Sequence, residues 1–285
     1  MELFLCIKQF IRCFMLKKAF IIFFIYGAVI SGLKAQCTDP NTTFKSGEKV
    51  VYNAYYNWGF IWVNAGIVKF LVDETTYQNE PAYYIRSYGR TYKTYDFLFK
   101  VRDSFEVYVD TMYLKPYEFD RITNEGSTHS HHHYIFDRKN NTIHTSISKD
   151  NEPHKNSVIS WPHCSFDLLS MVYKARNIDF EKYAPGDKIP INMVLDGKTY
   201  NLYIRYKGKE KIRDREGRKF RCLKFSPLLV DGTIFTSGEG MTVWVTDDKN
   251  RIPIIVEAKI LIGSVKAVFI GAEGLRHPME AEITK

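Results

Sequence analysis

The sequence predicts a mainly β protein: a single highly curved antiparallel sheet, an incomplete β-barrel of about a dozen strands, with one short helix packed on its concave side. Three observations predict it. Apolar and polar residues alternate with period 2 in run after run between Val50 and Ile270, the pattern of strands that bury one face. Turn-forming clusters such as Asn79-Glu80-Pro81, Asn140-Asn141, Asp196-Gly197 and Glu216-Gly217 separate the runs at hairpin spacing. Only one stretch, residues 165–176, carries its apolar residues at helical spacing.

The first hairpin sets the pattern. Behind the Gly47-Glu48 turn signal, Val50, Tyr52, Ala54, Tyr56 and Trp58 alternate with Lys49, Asn53 and Asn57. Gly59-Phe60 interrupts the run, and residues 61–71 return as a more apolar strand. Residues 82–92 form a Tyr-rich strand, and residues 94–100 break the alternation as one helical turn. Further strands are expected at 101–110, 117–123, 127–137 and 142–148, an up-and-down meander. The helix follows: Trp161-Pro162 holds the chain extended, and Ser165 caps. Phe166, Leu169, Val172, Tyr173 and Arg176 then share a side, with Asp167 early and Lys174 and Arg176 late to suit the macrodipole. A second β series runs through 189–195, 199–206, 209–213, 219–225, 242–246, 252–260 and 264–270. No repeat or long linker divides the chain, so residues 36–285 are expected to form a single β domain. An aromatic content of 15%, with 19 Tyr and 20 Phe, suits broad sheets.

The N-terminus reads as an export signal. Lys17-Lys18 precede the apolar run 19–30, and Ser31-Gly32-Leu33-Lys34-Ala35 follows, which are the n-region, h-region and small-residue cut of a secretory signal. The run is too short for the roughly 20 residues of a bilayer span, so the mature chain is expected to carry no transmembrane span. Cleavage after Ala35 exposes Gln36, and residues 1–14 precede Met15, itself the start of a signal of ordinary length. The expected address is the periplasm or the outer-membrane periphery of a Gram-negative bacterium. Lipid attachment at Cys37 is the alternative, against which Gln36 stands where Gly, Ala or Ser is usual. Residues 1–35 hold +4 of the formal +8, and the remainder mixes acids and bases, so the charge does not mark a nucleic-acid-binding protein.

Several residues invite chemistry. His129, His131 and His133 fall on one face of a predicted strand and His132 on the other. His131-x-His133 presents two imidazoles to one Zn²⁺, with His144 or His154 as a third ligand; the competing reading is a polar, solvent-facing strand. Cys37, Cys164 and Cys222 remain after signal removal, and Cys164–Cys222 is a candidate disulfide. His163-Cys164 precedes the helix, yet adjacent side chains in a strand-like segment point apart, so a structural Cys164 is favoured over a nucleophile. Asp247-Asp248-Lys249-Asn250 reads as a turn rather than a paired-carboxylate site. Glu48, Arg102 and Asp103 read as cross-strand ionic pairs of small individual worth if exposed. Asp110-Thr111-Met112 resembles the acceptor of bacterial O-glycosylation. Walker, dinucleotide, HExxH and Gly-x-Ser-x-Gly motifs are absent.

Five groups of residues, taken in order, resemble the exported bacterial family called domain of unknown function 3108. They are Gly47-Glu48 with Tyr52 and Gly66; Phe99-Lys100-Val101-Arg102-Asp103; Asp167-Leu168-Leu169-Ser170 with Tyr173 and Arg176; Trp244-Val245-Thr246-Asp247-Asp248 with Arg251-Ile252-Pro253; and Gly263-Ser264-Val265. The resemblance spans residues 44–270. It implies an envelope protein with a curved sheet similar to the lipoprotein-carrier fold of the Lol proteins, and it implies no activity.

Three functions are then expected in descending order. The first is a carrier whose sheet binds an apolar small molecule or lipid through Tyr52, Tyr56, Trp58, Trp62 and Trp244, in a cavity of several hundred Å³. The second is a structural or interaction protein that adds an envelope protein partner's strand to an open sheet edge, marked by a filled interior and an unprotected edge. The third is a metal-dependent enzyme built on His131 and His133.

Overall fold

Fifteen strands form one open sheet in the order β8-β7-β6-β5-β4-β3-β2-β1-β15-β14-β13-β12-β11-β10-β9. The computed structural model describes residues 38–58, 61–230, 238–260 and 263–283. The signal-peptide expectation and Cys37 lie outside these residues. The first meander comprises β1 (Lys49–Trp58), β2 (Ile61–Tyr77), β3 (Glu80–Thr91), β4 (Arg102–Asp110), β5 (Pro116–Glu125), β6 (Thr128–Asp137), β7 (Thr142–Lys149) and β8 (Lys155–Ser160). After β9 (Ser165–Phe166) and helix α1 (Leu168–Arg176), the second comprises β10 (Lys188–Leu195), β11 (Lys198–Arg213), β12 (Lys219–Pro227), β13 (Met241–Thr246), β14 (Pro253–Lys259) and β15 (Ser264–Glu273). β1 and β15 join the two meanders antiparallel, with Lys49 opposite Glu273 and Tyr56 opposite Val265.

The inner face follows from the period of 2. Val72, Ile85, Val107, Phe119 and Tyr134 stand opposite one another across β2 to β6, and all are buried. Leu169 and Tyr173 of α1 and Val194 of β10 complete the same core. A helix that touches both β4 and β10, nine places apart in the sheet order, requires the sheet to curl around it. The Phe44 ring seals this core edge-on against Tyr173, centroids 4.8 Å apart. A second core gathers Val50, Tyr52, Phe220, Cys222, Ile252, Ile254 and Phe269.

The curl brings the β10–β11 hairpin tip onto the first meander. Asp196 and Gly197 take positive φ, as an Asp-Gly type I′ turn requires. The Gly197 N–H donates to the Tyr134 hydroxyl at 3.0 Å, and Asp196 Oδ1 lies 3.4 Å from the Arg121 guanidinium. Side chains rather than a strand ladder thus link β10–β11 to β5 and β6.

The strands depart from expectation in both directions, for local reasons. Residues 199–206 and 209–213 are one strand, β11, carried through a bulge at Gly208, whose φ is +98°. β8 and β9 had no sequence signal strong enough to mark them. Ser165 pairs parallel to Asn192 instead of capping, and Asp167 caps α1, accepting from the Ser170 N–H at 2.9 Å. The break at 94–100 contains a short 3₁₀ turn at Lys93–Tyr95.

Gly274 closes the β1–β15 joint with φ +67°, and a Cβ there would overlap the Gly47 carbonyl. Gly274→Ala is therefore expected to cost about 1–3 kcal/mol. Gly271→Ala, where a Cβ meets nothing within 4 Å, is the near-neutral control in the same urea titration.

Candidate functional site

Three of the five family-like groups, those of Glu48, Arg176 and Asp247-Asp248, converge on a buried ion pair. Arg176, at the end of α1, donates through Nη1 and Nη2 to the Glu48 carboxylate at 2.5 and 2.9 Å. Its Nε and Nη2 also donate to the Asn250 carbonyl at 3.1 and 2.9 Å. Burial works against the guanidinium charge, but the Glu48 carboxylate and its hydrogen bonds outweigh that and raise the Arg176 pKa. Burial likewise lifts the Asp167 carboxyl to about 6 against the opposing Ser170 hydrogen bonds. Glu48 is thus no exposed cross-strand pair. It ties the start of β1, the helix and the β13–β14 connection together. Asp248 builds that connection as the turn expected from Asp247-Asp248, accepting from the Asn250 N–H at 3.0 Å and the Thr246 hydroxyl at 2.8 Å.

Of the residues expected to hold an apolar ligand, Tyr52, Trp62 and Trp244 each meet different partners. Tyr52 is buried in protein, edge-on to Phe70 and Phe269. Trp62 lies under Lys266, its ring centroid 4.3 Å from Nζ. Trp244 donates to Glu210 at 3.0 Å with Lys224 over its ring. Tyr56 is half-buried in β1, and Trp58 ends that strand opposite Ile61.

The histidine strand divides as the alternation predicts. His132 turns inward and is buried, while His131 and His133 face outward. Each outer imidazole meets its own β5 carboxylate: His131 Nε2 lies 2.7 Å from Asp120 and His133 Nε2 2.8 Å from Glu118. Both contacts are diagonal, since the register sets Asp120 opposite His133 and Glu118 opposite Ile135. His154 Nδ1 lies 2.9 Å from the Ser146 hydroxyl, and its ring stands 5.1 Å from that of His131. Among the described residues no group of three His, Cys, Asp or Glu is placed to hold a metal ion. The sequence missed the carboxylates because Glu118 and Asp120 belong to a strand whose register only the folded sheet reveals.

The proposed Cys164–Cys222 disulfide is corrected. Cys222 is a buried free thiol, which burial pushes up to about 12, and it packs in the second core. Cys164 is disulfide-bonded in the turn before β9. Asp110 spends its carboxylate on the β4–β5 turn, accepting from the N–H groups of Met112, Tyr113 and Lys115 at 3.1, 2.6 and 2.9 Å.

The two sheet edges differ sharply. β9 has two buried residues, the short kind of edge that resists pairing. β8 has six residues, almost all exposed, and among the described residues it pairs with β7 alone. Beside it, His133, Ile135, His144, Ser146, Asn156 and Val158 line a shallow groove of about 290 Å³. Val158 is 59% exposed. An exposed edge strand is the geometry that receives an added strand: main-chain pairing supplies affinity and the neighbouring face meets its side chains.

Among solved structures the chain is similar to a β-barrel-like protein of domain of unknown function DUF1849 from Brucella abortus. The match has a TM-score of 0.48 and 6% identity, and covers 79% of this chain and 96% of that one. No curated protein matches. The model of the family described as "Protein of unknown function (DUF3108)" matches residues 51–270, and the chain belongs to that family.

Proposed function

We propose that this protein is an exported envelope protein that serves as an interaction scaffold, taking an extended segment of a protein partner onto the β8 edge. The observation that carries this reading is the asymmetry of the edges: β9 has two residues, both buried, whereas β8 has six, almost all exposed and flanked by a groove. The incoming strand would set an apolar side chain beside Val158 while its backbone pairs with β8. The filled interior supports the same reading, because Leu169, Tyr173 and Val194 occupy the space inside the curled sheet. The carrier reading has less support, since Tyr52 spends its ring on Phe70 and Phe269. Export rests on the n-region, h-region and Ala35 of the sequence.

The test is hydrogen exchange on the protein alone and in complex with partners co-purified from an envelope fraction. The amides of residues 155–160 are expected to exchange quickly in the free protein and at least tenfold more slowly in the complex. Val158→Lys, which places a charge over the groove, should abolish recovery of the partner. A complex that leaves 155–160 unprotected and survives Val158→Lys would overturn the assignment.

A further inference from the structure

We propose that the β3–β4 loop is a membrane-docking tip that enters the surface of an anionic lipid bilayer. Phe97, Leu98 and Phe99 project at 81%, 52% and 54% exposure, the largest run of consecutive exposed apolar side chains among the described residues. Gly66 of β2 is opposite Thr91 at the end of β3, so Ile61, at the start of β2 and 68% exposed, lies at the same end of the sheet.

This tip is presented by a hydrogen-bonded base. Asp96 accepts from the Thr91 hydroxyl at 2.6 Å and from Arg102 Nη2 at 2.6 Å. The N–H groups of Leu98 and Phe99 both donate to the Tyr95 carbonyl, at 3.0 and 3.3 Å. The Lys100 carbonyl accepts from the Gly126 N–H at 2.8 Å, and the Phe99 ring lies over Gly126. The backbone of the loop is therefore held, and the Phe99 ring is held with it.

Charge and area identify the occupant. Lys93 and Lys100 bracket the tip and Arg90 stands beside it, all exposed. The loop's one carboxylate, Asp96, is neutralised by Arg102. Aromatic and aliphatic side chains framed by lysines fit a lipid interface: the rings enter at headgroup depth while the long cationic stems reach anionic phosphates. The exposed apolar area is roughly 400 Å², taking about 150–250 Å² for each aromatic side chain. That is about half of what one partner contributes to a stable protein interface, but it suffices for shallow insertion assisted by charge.

Flotation of the exported chain tests this with vesicles of phosphatidylcholine alone and of phosphatidylcholine mixed with phosphatidylglycerol. Binding to the mixed vesicles is expected, with at least tenfold weaker binding to phosphatidylcholine and loss at high salt. Phe97→Ser/Leu98→Ser should bind about 100-fold more weakly, because two large side chains no longer leave water. Lys93→Glu/Lys100→Glu should bind at least tenfold more weakly. Neither pair should move the thermal midpoint, because the substituted side chains are exposed. An environment-sensitive dye on Leu98→Cys should shift to the blue with mixed vesicles, while the same dye on Val158→Cys should not. Undiminished binding by Phe97→Ser/Leu98→Ser would overturn the proposal. So would concentration-dependent self-association, without vesicle binding, that disappears in that variant.

Discussion

Replacing Arg176 by methionine is expected to destabilise the protein by about 3–5 kcal/mol, because it strands the Glu48 carboxylate in the interior. The arginine is held on three sides. Glu48 binds it bidentately and the Asn250 carbonyl accepts from two of its nitrogens. The rings of Phe44 and Tyr173 stand over the guanidinium at 5.4 and 5.3 Å. In a domain this large the loss corresponds to a thermal midpoint lower by roughly 10 °C. Glu48→Leu/Arg176→Met should recover most of it, since an apolar pair of similar volume avoids the desolvation of both charges. Urea titrations of the two variants separate the cost of an orphaned charge from the worth of the pair. Wild-type stability in Arg176→Met would show that the pair is not the keystone of the joint between β1, α1 and the β13–β14 connection.

The ease of reading the fold and the difficulty of reading the site have one physical cause. Strand periodicity and turn chemistry are local, so Val50 to Trp58, the Asp196-Gly197 turn and the amphipathic helix were legible from neighbours alone. Glu48 and Arg176 lie 128 positions apart, and nothing local says that a carboxylate beside a Gly turn will be buried against a helix end. The family-like residues fall in sequence as five separate groups; the meeting of three of them, around Glu48, Arg176 and Asn250, at one ion pair is a property of the curl. The β8 edge was missed for the opposite reason. Lys155-Asn156-Ser157-Val158-Ile159-Ser160 has no buried face and hence no alternation to detect. His131 and His133 were seen, but their carboxylates depend on a diagonal register across β5 and β6 that sequence spacing does not encode.

Acidification should weaken the seam between the two meanders through His132, whose position differs from that of its outward neighbours. Burial and the adjacent Arg121 guanidinium, against an opposing pull from Asp196 and with a further push from His131, hold this imidazole down at about 4. Its Nδ1 lies 3.2 Å from the Tyr134 hydroxyl and 3.6 Å from Asp196, and its Nε2 lies 3.5 Å from Arg121. An unfolded histidine takes its proton near 6.5, so below that pH the unfolded chain binds a proton that the folded protein refuses. Stability from this group is full above pH 6.5, falls as the pH drops toward 4, and is lost below both values. The span corresponds to about 3 kcal/mol. His132→Gln stays neutral and retains a hydrogen-bonding side chain, so its stability relative to wild type should improve by about that amount between pH 7 and pH 4. Taking the difference matters, because Asp167 and Asp103, both raised to about 6 by burial, contribute a slope of opposite sign that the two proteins share. Parallel stability curves for wild type and His132→Gln over that range would show that His132 admits a proton without cost, and that the Arg121, Tyr134 and Asp196 contacts do not close the seam around a neutral ring.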